Sequence, residues 1–451
     1  MYLSKLAHVF VRGKTICLYH ALNHEVRFFD ENVWMKIKMK FEGYVSSTEP
    51  FKFQNELNDL IRAGFVVRNH DSDKQTLLSL RKEFAIPKIN VLYLLLAEGC
   101  NIDCSYCFFA GNFSRRPEIN PMSWELAKKA IDFYAEVINR QEDEAPEKNK
   151  LINFYGGEPM LNRKVFERSV SYISNLSNKG VLPKGIRMSV NTNGTIMDRS
   201  LAEFISRHSV EIGVSIDGPK DIHDQCRKYA NGQGTFHQAV AAYQILKEAG
   251  ANVGVSCTIS ENTVGHLPDI FEWLIDELEV TGMGFNPLIE CRRFQVSDKD
   301  YSNRVAHDLI KCYQIARERG VYEDRMMRKV KAFVGGYFYE RDCSAIGRQM
   351  VFGPNGTVGI CPTYYASGKY FVDFTPDFDP LVHPIWIEWL ERIPINMPQC
   401  FDCEAIGICG GGCPFNAHTR HGDIWQVDDF FCAHSKATLN WLIWDLFDRM
   451  E

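Results

Sequence analysis

The 451-residue chain has no uninterrupted apolar run that approaches the roughly 18–20 residues a helix needs to cross a bilayer. Its first residues lack the basic segment, apolar stretch and small-residue cleavage site of a secretory signal, which predicts a cytoplasmic location. It also has little excess charge: 57 acidic against 51 basic residues leave a net −6, so no large cationic surface for nucleic acid is expected. No segment repeats at a fixed period, which argues against a solenoid. The length exceeds one ordinary core and predicts two or three domains.

Cysteine, by contrast, is abundant, with 15 residues. A reducing cytosol keeps thiols from forming disulfides, so metal binding is the better expectation. The distribution agrees: Cys100, Cys104 and Cys107 fall together, and Cys343, Cys361, Cys400, Cys403, Cys409, Cys413 and Cys432 crowd the C-terminal part. Cys17, Cys226, Cys257, Cys291 and Cys312 are scattered and read as small buried hydrophobes.

Residues 1–88 read as a small unit with strands near Ala7–Val11, Thr15–Tyr19 and Glu25–Phe29, helices at Glu31–Lys40 and Pro50–Ala63, and a closing strand Phe65–Arg68. That order suggests a winged-helix module, with His70–Gln75 and Arg81–Glu83 as a linker. From Ile89 apolar strands alternate with amphipathic helices, the signature of parallel β/α units. The strands are expected at Asn90–Ala97, Leu151–Tyr155, Ile186–Asn191, Glu211–Ile216, Asn252–Ile259 and Gly282–Pro287. The intervening helices are Ser123–Arg140, Arg163–Asn178, Phe236–Ala249 and His266–Leu278. Six such units predict an α/β fold with a partial (β/α)6 TIM barrel at about 89–300, its active residues at the strand C-terminal ends. A helical bridge (301–342) leads to a Cys-rich domain (343–451), where metal rather than an apolar core is expected to hold the chain. A last amphipathic helix is expected over Ser435–Met450.

Directly after the first barrel strand comes Cys100-Asn-Ile-Asp-Cys104-Ser-Tyr-Cys107-Phe108. Three thiolates on one loop can hold three irons of a cubane cluster and leave the fourth open to a small molecule. A zinc site would want a fourth protein ligand nearby, and none is evident. With this motif the sequence resembles the radical S-adenosylmethionine (SAM) superfamily. Gly156-Gly157-Glu158-Pro159 resembles the segment that binds the methionyl amino group of SAM. Ser189 and Asn191 on the third strand, and Ser215 and Asp217 at the end of the fourth, look like its other polar contacts, with Tyr106 and Phe108 beside the third cysteine. The resemblance implies reductive cleavage of SAM to a 5′-deoxyadenosyl radical that takes a hydrogen atom from a substrate. No general base is assigned.

The C-terminal cysteines resemble the SPASM domain, which binds two auxiliary 4Fe-4S clusters. Carried over by position, Cys343, Cys361 and Cys413 would ligate the first, and Cys400, Cys403, Cys409 and Cys432 the second, so that three clusters are implied in all. The first set is one ligand short; a residue elsewhere, such as Cys291 or Asp342, closes it, or the position is open to substrate, either to bind a peptide thiolate or to serve only as an electron acceptor for the substrate radical. Structural zinc in the Cys400–Cys413 segment would leave Cys343, Cys361 and Cys432 unexplained. Sulfatase-maturing members carry an aspartate after the cysteine that matches Cys361; Pro362 stands here and counts against that activity. A winged-helix unit ahead of such a barrel resembles the recognition element of enzymes that mature ribosomally made peptides of the ranthipeptide or sactipeptide kind. The implied partners are a precursor peptide whose leader adds a strand to the module's sheet and an external electron donor such as flavodoxin or ferredoxin; neither nucleic acid nor membrane is expected. Two other readings stand beside this: a radical enzyme acting on a protein or small molecule with the N-terminal module as a cap, and a non-catalytic iron–sulfur protein for DNA binding or electron transfer.

Overall fold

The structure, a computed structural model, describes residues 1–42, 52–69, 71–141, 150–297 and 300–450. Near the N-terminus, β1 (Tyr2–Leu3) is followed by β2 (Ala7–Arg12), β3 (Thr15–His20) and β4 (Val26–Asp30), which form a three-stranded antiparallel sheet with β3 in the middle. The helices Glu31–Phe41 and Gln54–Arg62 come next, and β5 (Val66–Val67) then returns to pair with β1. Ile16 and Leu18 point with Trp34, Ile37, Leu57 and Leu60 into a small core. The opposite face of β3 is buried as well, because Cys17 and Tyr19 pack with Phe333, Ile395, Ile406 and Ile408 from the C-terminal half. The expected linker is corrected: Asp71–Phe84 is a helix, and His70 lies outside the described residues. Its polar outer face hid the apolar spacing of Leu77, Leu80 and Phe84, which dock on the same C-terminal surface.

The six expected barrel strands are present as β6 (Val91–Ala97), β7 (Leu151–Gly156), β8 (Arg187–Thr192), β9 (Glu211–Ser215), β10 (Val253–Ile259) and β11 (Gly282–Pro287). They lie side by side in chain order, all parallel. A parallel sheet covered on both faces reads as continuous apolar runs. Here β7 to β11 alternate instead. Ile152, Phe154, Val190, Ile212, Val214, Val255 and Phe285 are buried among the helices. The other face carries Asn153, Ser189, Asn191, Gly213, Ser215, Ser256, Thr258 and Asn286, small and polar residues that leave the barrel interior open.

The sheet does not stop at six strands. β12 (Tyr322–Glu323) joins β11 in parallel, and β13 (Gln349–Phe352) joins β6 in parallel, followed by antiparallel β14 (Thr357–Gly359) and β15 (Phe371–Asp373). The fold is thus α/β around one large, mostly parallel ten-stranded sheet. This corrects the expectation that metal alone holds the Cys-rich part. Met350, Phe352, Val358, Ile360, Trp386 and Trp389 are buried in the barrel's own core. Their segments are too short to show a period, and their apolar partners lie far away in sequence. The last helix also starts earlier than expected, at Asp429, so that Cys432 lies inside it. It packs along the helix Tyr301–Arg319, where Arg317 pairs with Asp445 (Nη1–Oδ2 2.8 Å). No helix of the described residues is long and apolar enough to cross a membrane.

Candidate active site

At the C-terminal ends of β6 to β11 opens a cavity of ≈ 290 Å³, bordered by Cys100, Cys104 and Cys107 on one side and by Gly156, Gly157, Asn191, Ser215 and Asn286 on the other. Parallel β/α sheets place their sites there because the loops leaving each strand converge at that end. The cysteine loop is fixed mainly by its backbone. Asp103 N donates to Lys228 O at 2.6 Å and Ser105 N to Cys226 O at 3.1 Å. Arg116 Nη2 reaches the carbonyls of Cys100 (3.0 Å) and Ile102 (3.1 Å). Cys107 Sγ accepts from Ala110 N at 3.4 Å and so caps the short helix Phe108–Gly111.

Burial pushes the Cys100 thiol up to about 12 and raises Cys104 and Cys107 as well; the charges of Glu158 and Cys107 add to the shift at Cys100, and those of Cys107 and Cys100 to the shift at Cys104. Three thiolates in this space therefore need a positive partner, which iron supplies and which also deprotonates the thiols. Among the described residues no three His, Cys, Asp or Glu side chains converge tightly enough for a single metal ion. The thiols border a cavity instead, an arrangement that suits a multinuclear cluster. Bound here, such a cluster and SAM supply an electron and a carbon-centred radical.

The glycine pair is demanded by close approach. A Cβ on Gly156, which has φ +132°, would lie 2.2 Å from Ala97 O, and one on Gly157 would lie 2.2 Å from Gly99 O. Gly157 N and Glu158 N donate to those same two carbonyls at 2.8 and 3.1 Å. Glu158 is buried, and its carboxylate turns away from the cavity's centre to the chain itself. It accepts from Met160 N (3.0 Å), Thr192 Oγ1 (2.7 Å) and Asn193 N (2.8 Å), which ties the end of β7 to the end of β8. Burial raises its acid above the ordinary range despite these donors.

Of the residues singled out from the sequence, Tyr106, Phe108, Gly156, Gly157, Glu158, Asn191 and Ser215 border the cavity with the three cysteines. Pro159 opens the short turn behind Glu158. Ser189 shares the interior face with Asn191 but sits deeper along β8, outside the cavity wall. Asp217 is likewise behind the wall. It accepts from Tyr106 Oη, Arg227 Nε (2.8 Å), Arg227 Nη2 (3.2 Å) and Thr258 N (2.9 Å). Arg227, buried and in the wall, and Asn193, whose Nδ2 lies 3.5 Å from Cys100 Sγ, were not anticipated. Asn193 lies just past the strand end that carried the expected contacts, which was the signal available; Arg227 is in a loop with no motif.

Four of the C-terminal cysteines share one cavity: Cys400, Cys403, Cys409 and Cys432 border a small space of ≈ 30 Å³. Burial, then the nearby Asp428, Cys343 and Cys361, drive the Cys413 thiol well up. Cys291, considered as a further ligand for that set, lies against the end of the helix Phe108–Gly111: a Cβ on Gly111 would lie 2.5 Å from its Sγ. Asp342, the other candidate, has its oxygens 3.5 Å from Arg325 Nη1 and 3.4 Å from Tyr339 Oη.

Residues 94–274 match the Radical SAM superfamily, so the chain carries a radical SAM domain and is an enzyme; that superfamily uses SAM and a 4Fe-4S cluster. Radical SAM cyclopropyl synthase TigE of Paramaledivibacter caminithermalis is 23% identical over 421 residues, 89% of this chain and 84% of that protein. The solved structure of native anSMEcpe with bound AdoMet is similar in fold, with a TM-score of 0.66 and 21% identity over 79% of this chain and 98% of its own. Streptococcus suis SuiB bound to its precursor peptide SuiA spans more, 95% of this chain and 99% of its own, at a TM-score of 0.51 and 13% identity.

Proposed function

We propose that this enzyme is a peptide maturase that oxidatively installs an intramolecular cross-link, a thioether or a carbon–carbon or ether bond, in a ribosomally made precursor. In this reading residues 1–88 form a winged-helix module that binds the leader, 89–300 the radical barrel, 301–342 a bridge, and 343–451 a SPASM domain with two auxiliary 4Fe-4S clusters. The observation that carries it is the gathering of Cys400, Cys403, Cys409 and Cys432 around one cavity in a segment whose strands are continuous with the radical barrel. A cross-link made at the cost of two hydrogens needs such an acceptor. One hydrogen atom leaves to the radical, the second leaves as a proton, and its electron must go elsewhere. The likeness to TigE over most of the chain, and to SuiB in its complex with a precursor peptide, supports a peptide substrate. Either outer strand of the N-terminal sheet, β2 or β4, offers an edge for a leader strand. Flavodoxin or ferredoxin would supply the first electron.

A second reading, the N-terminal unit as a cap for an enzyme of other substrates, draws on the double-sided burial of β3. Mass spectrometry of a genome-neighbouring short peptide, co-expressed anaerobically with the enzyme, separates the two. The expected result is a loss of two hydrogens per cross-link that disappears when Cys100, Cys104 and Cys107 are replaced by alanine. Cysteines that then resist alkylation identify a thioether. An unchanged peptide beside verified SAM cleavage favours the cap.

A further inference from the structure

Arg392 follows the helix Pro384–Glu391 and has no solvent exposure. Its side-chain hydrogen bonds all run to backbone carbonyls: Nη1 to Gly411 O at 2.9 Å, Nη2 to Gln426 O at 2.9 Å, and Nε to Ile424 O. A guanidinium keeps its charge in proteins, and a buried cation faced only by partial dipoles is costly unless anions stand close. The groups whose negative charge would favour the guanidinium are Cys413, Asp428, Cys409 and Cys400. Asp428 is already committed, accepting from Cys413 N (3.1 Å), Asn416 Nδ2 (3.1 Å) and Phe431 N (3.3 Å). What remains is sulfur from both expected sets: Cys413 from one, Cys400 and Cys409 from the other. Gly411, whose carbonyl holds Nη1, sits on the short turn between Cys409 and Cys413.

We propose that Arg392 is the shared positive counter-charge of the two auxiliary clusters, raising their potentials so that they accept an electron. The step is a one-electron reduction: the substrate radical is oxidised, a cluster gains the electron, and the substrate's second hydrogen leaves as a proton. Each reduction adds a negative charge to an assembly that thiolates have already made anionic, and a cation fixed in a low-dielectric interior favours the more negative state. Arg392 is a positioning residue in this sense and touches no substrate. Its role rests on the two-cluster reading above.

The test uses full-length, iron-reconstituted protein in which Cys100, Cys104 and Cys107 are alanine, so that only auxiliary clusters report. Iron content and redox titrations followed by electron paramagnetic resonance are compared for Arg392, R392M and R392K. Iron near background in the Arg392 protein, against about eight atoms for two clusters, removes the two-cluster reading and this role with it. With that iron present, the expected result is a downward shift of midpoint potential in R392M at unchanged iron content, and potentials close to those of Arg392 in R392K, which keeps the charge but loses the three-carbonyl clamp. Unchanged potentials in R392M, or an equal shift in R392K, overturn the proposal and leave Arg392 as a clamp. Should R392M fail to hold iron, R392K decides alone: potentials near those of Arg392 uphold the charge role, and a downward shift overturns it.

Discussion

Glu158 holds three donors drawn from two separate segments, and nothing else among its hydrogen bonds joins the end of β7 to that of β8. Replacing it by alanine leaves Met160 N–H, Asn193 N–H and the Thr192 hydroxyl without their acceptor. At about 1–3 kcal/mol for each buried unpaired group, E158A is expected to lose several kcal/mol in chemical unfolding and to weaken SAM in equilibrium binding. Glu323 offers a different test at the same scale. Fully buried, it caps the helix Asp324–Gly335 by accepting from Arg325 N and Met326 N, both at 2.8 Å. Burial nevertheless pushes its acid from 4.5 to about 7. The unfolded chain gives up this proton at the lower value and the folded chain at the higher. The folded state therefore binds more protons between them, and stability falls as pH rises through that window before levelling above it. Against the uncharged E323Q variant, the wild type is expected to lose on the order of 3 kcal/mol between pH 4 and pH 8, read from denaturant midpoints across the range.

Two elements decide how the parts of the chain meet. The helix Asp71–Phe84 fastens the N-terminal unit: Arg81 Nε donates to Ile395 O at 2.9 Å, and the Phe84 ring stacks on Phe338 with centroids 5.6 Å apart. Phe84→Ala is expected to cost about 1–2 kcal/mol and to speed proteolysis within residues 71–84 without changing the iron content. β13 is the second such element. Its parallel pairing with β6, register Tyr93 to Val351, brings the segment that ends at Cys361 alongside the strand that launches the first cysteine loop. Phe109, two residues beyond Cys107, then stacks on Tyr365 with centroids 6.4 Å apart. The distance between the first cysteine loop and the Cys361 loop is thus set by a sheet and an aromatic contact.

For the whole molecule, the N-terminal unit contributes Leu6, Cys17, Tyr19, Ala21 and Leu22 to a core that it shares with Phe333, Ile395, Ile406, Leu439 and Ile443. Deletion of residues 1–84 strips cover from that surface, and the shortened protein is expected to aggregate on size-exclusion chromatography and to lose the iron proposed for the neighbouring Cys400 and Cys403 loop. A monodisperse shortened protein that keeps its iron would mean that the shared core contributes little.

The order of the barrel strands, the three clustered cysteines and the glycine turn were legible in the sequence because each is written in adjacent residues: a period of two, a loop spacing, a Gly-Gly pair. Tertiary structure alone decided that Asn193 and Arg227 reach the site, that the Cys-rich part extends the barrel sheet, that Cys291 lies against Gly111, and that a polar-looking segment is a docking helix. These depend on contacts between residues tens to hundreds of positions apart, such as Arg81 with Ile395 or Val91 with Gln349. Burial of one side chain by another that distant leaves no local pattern to read.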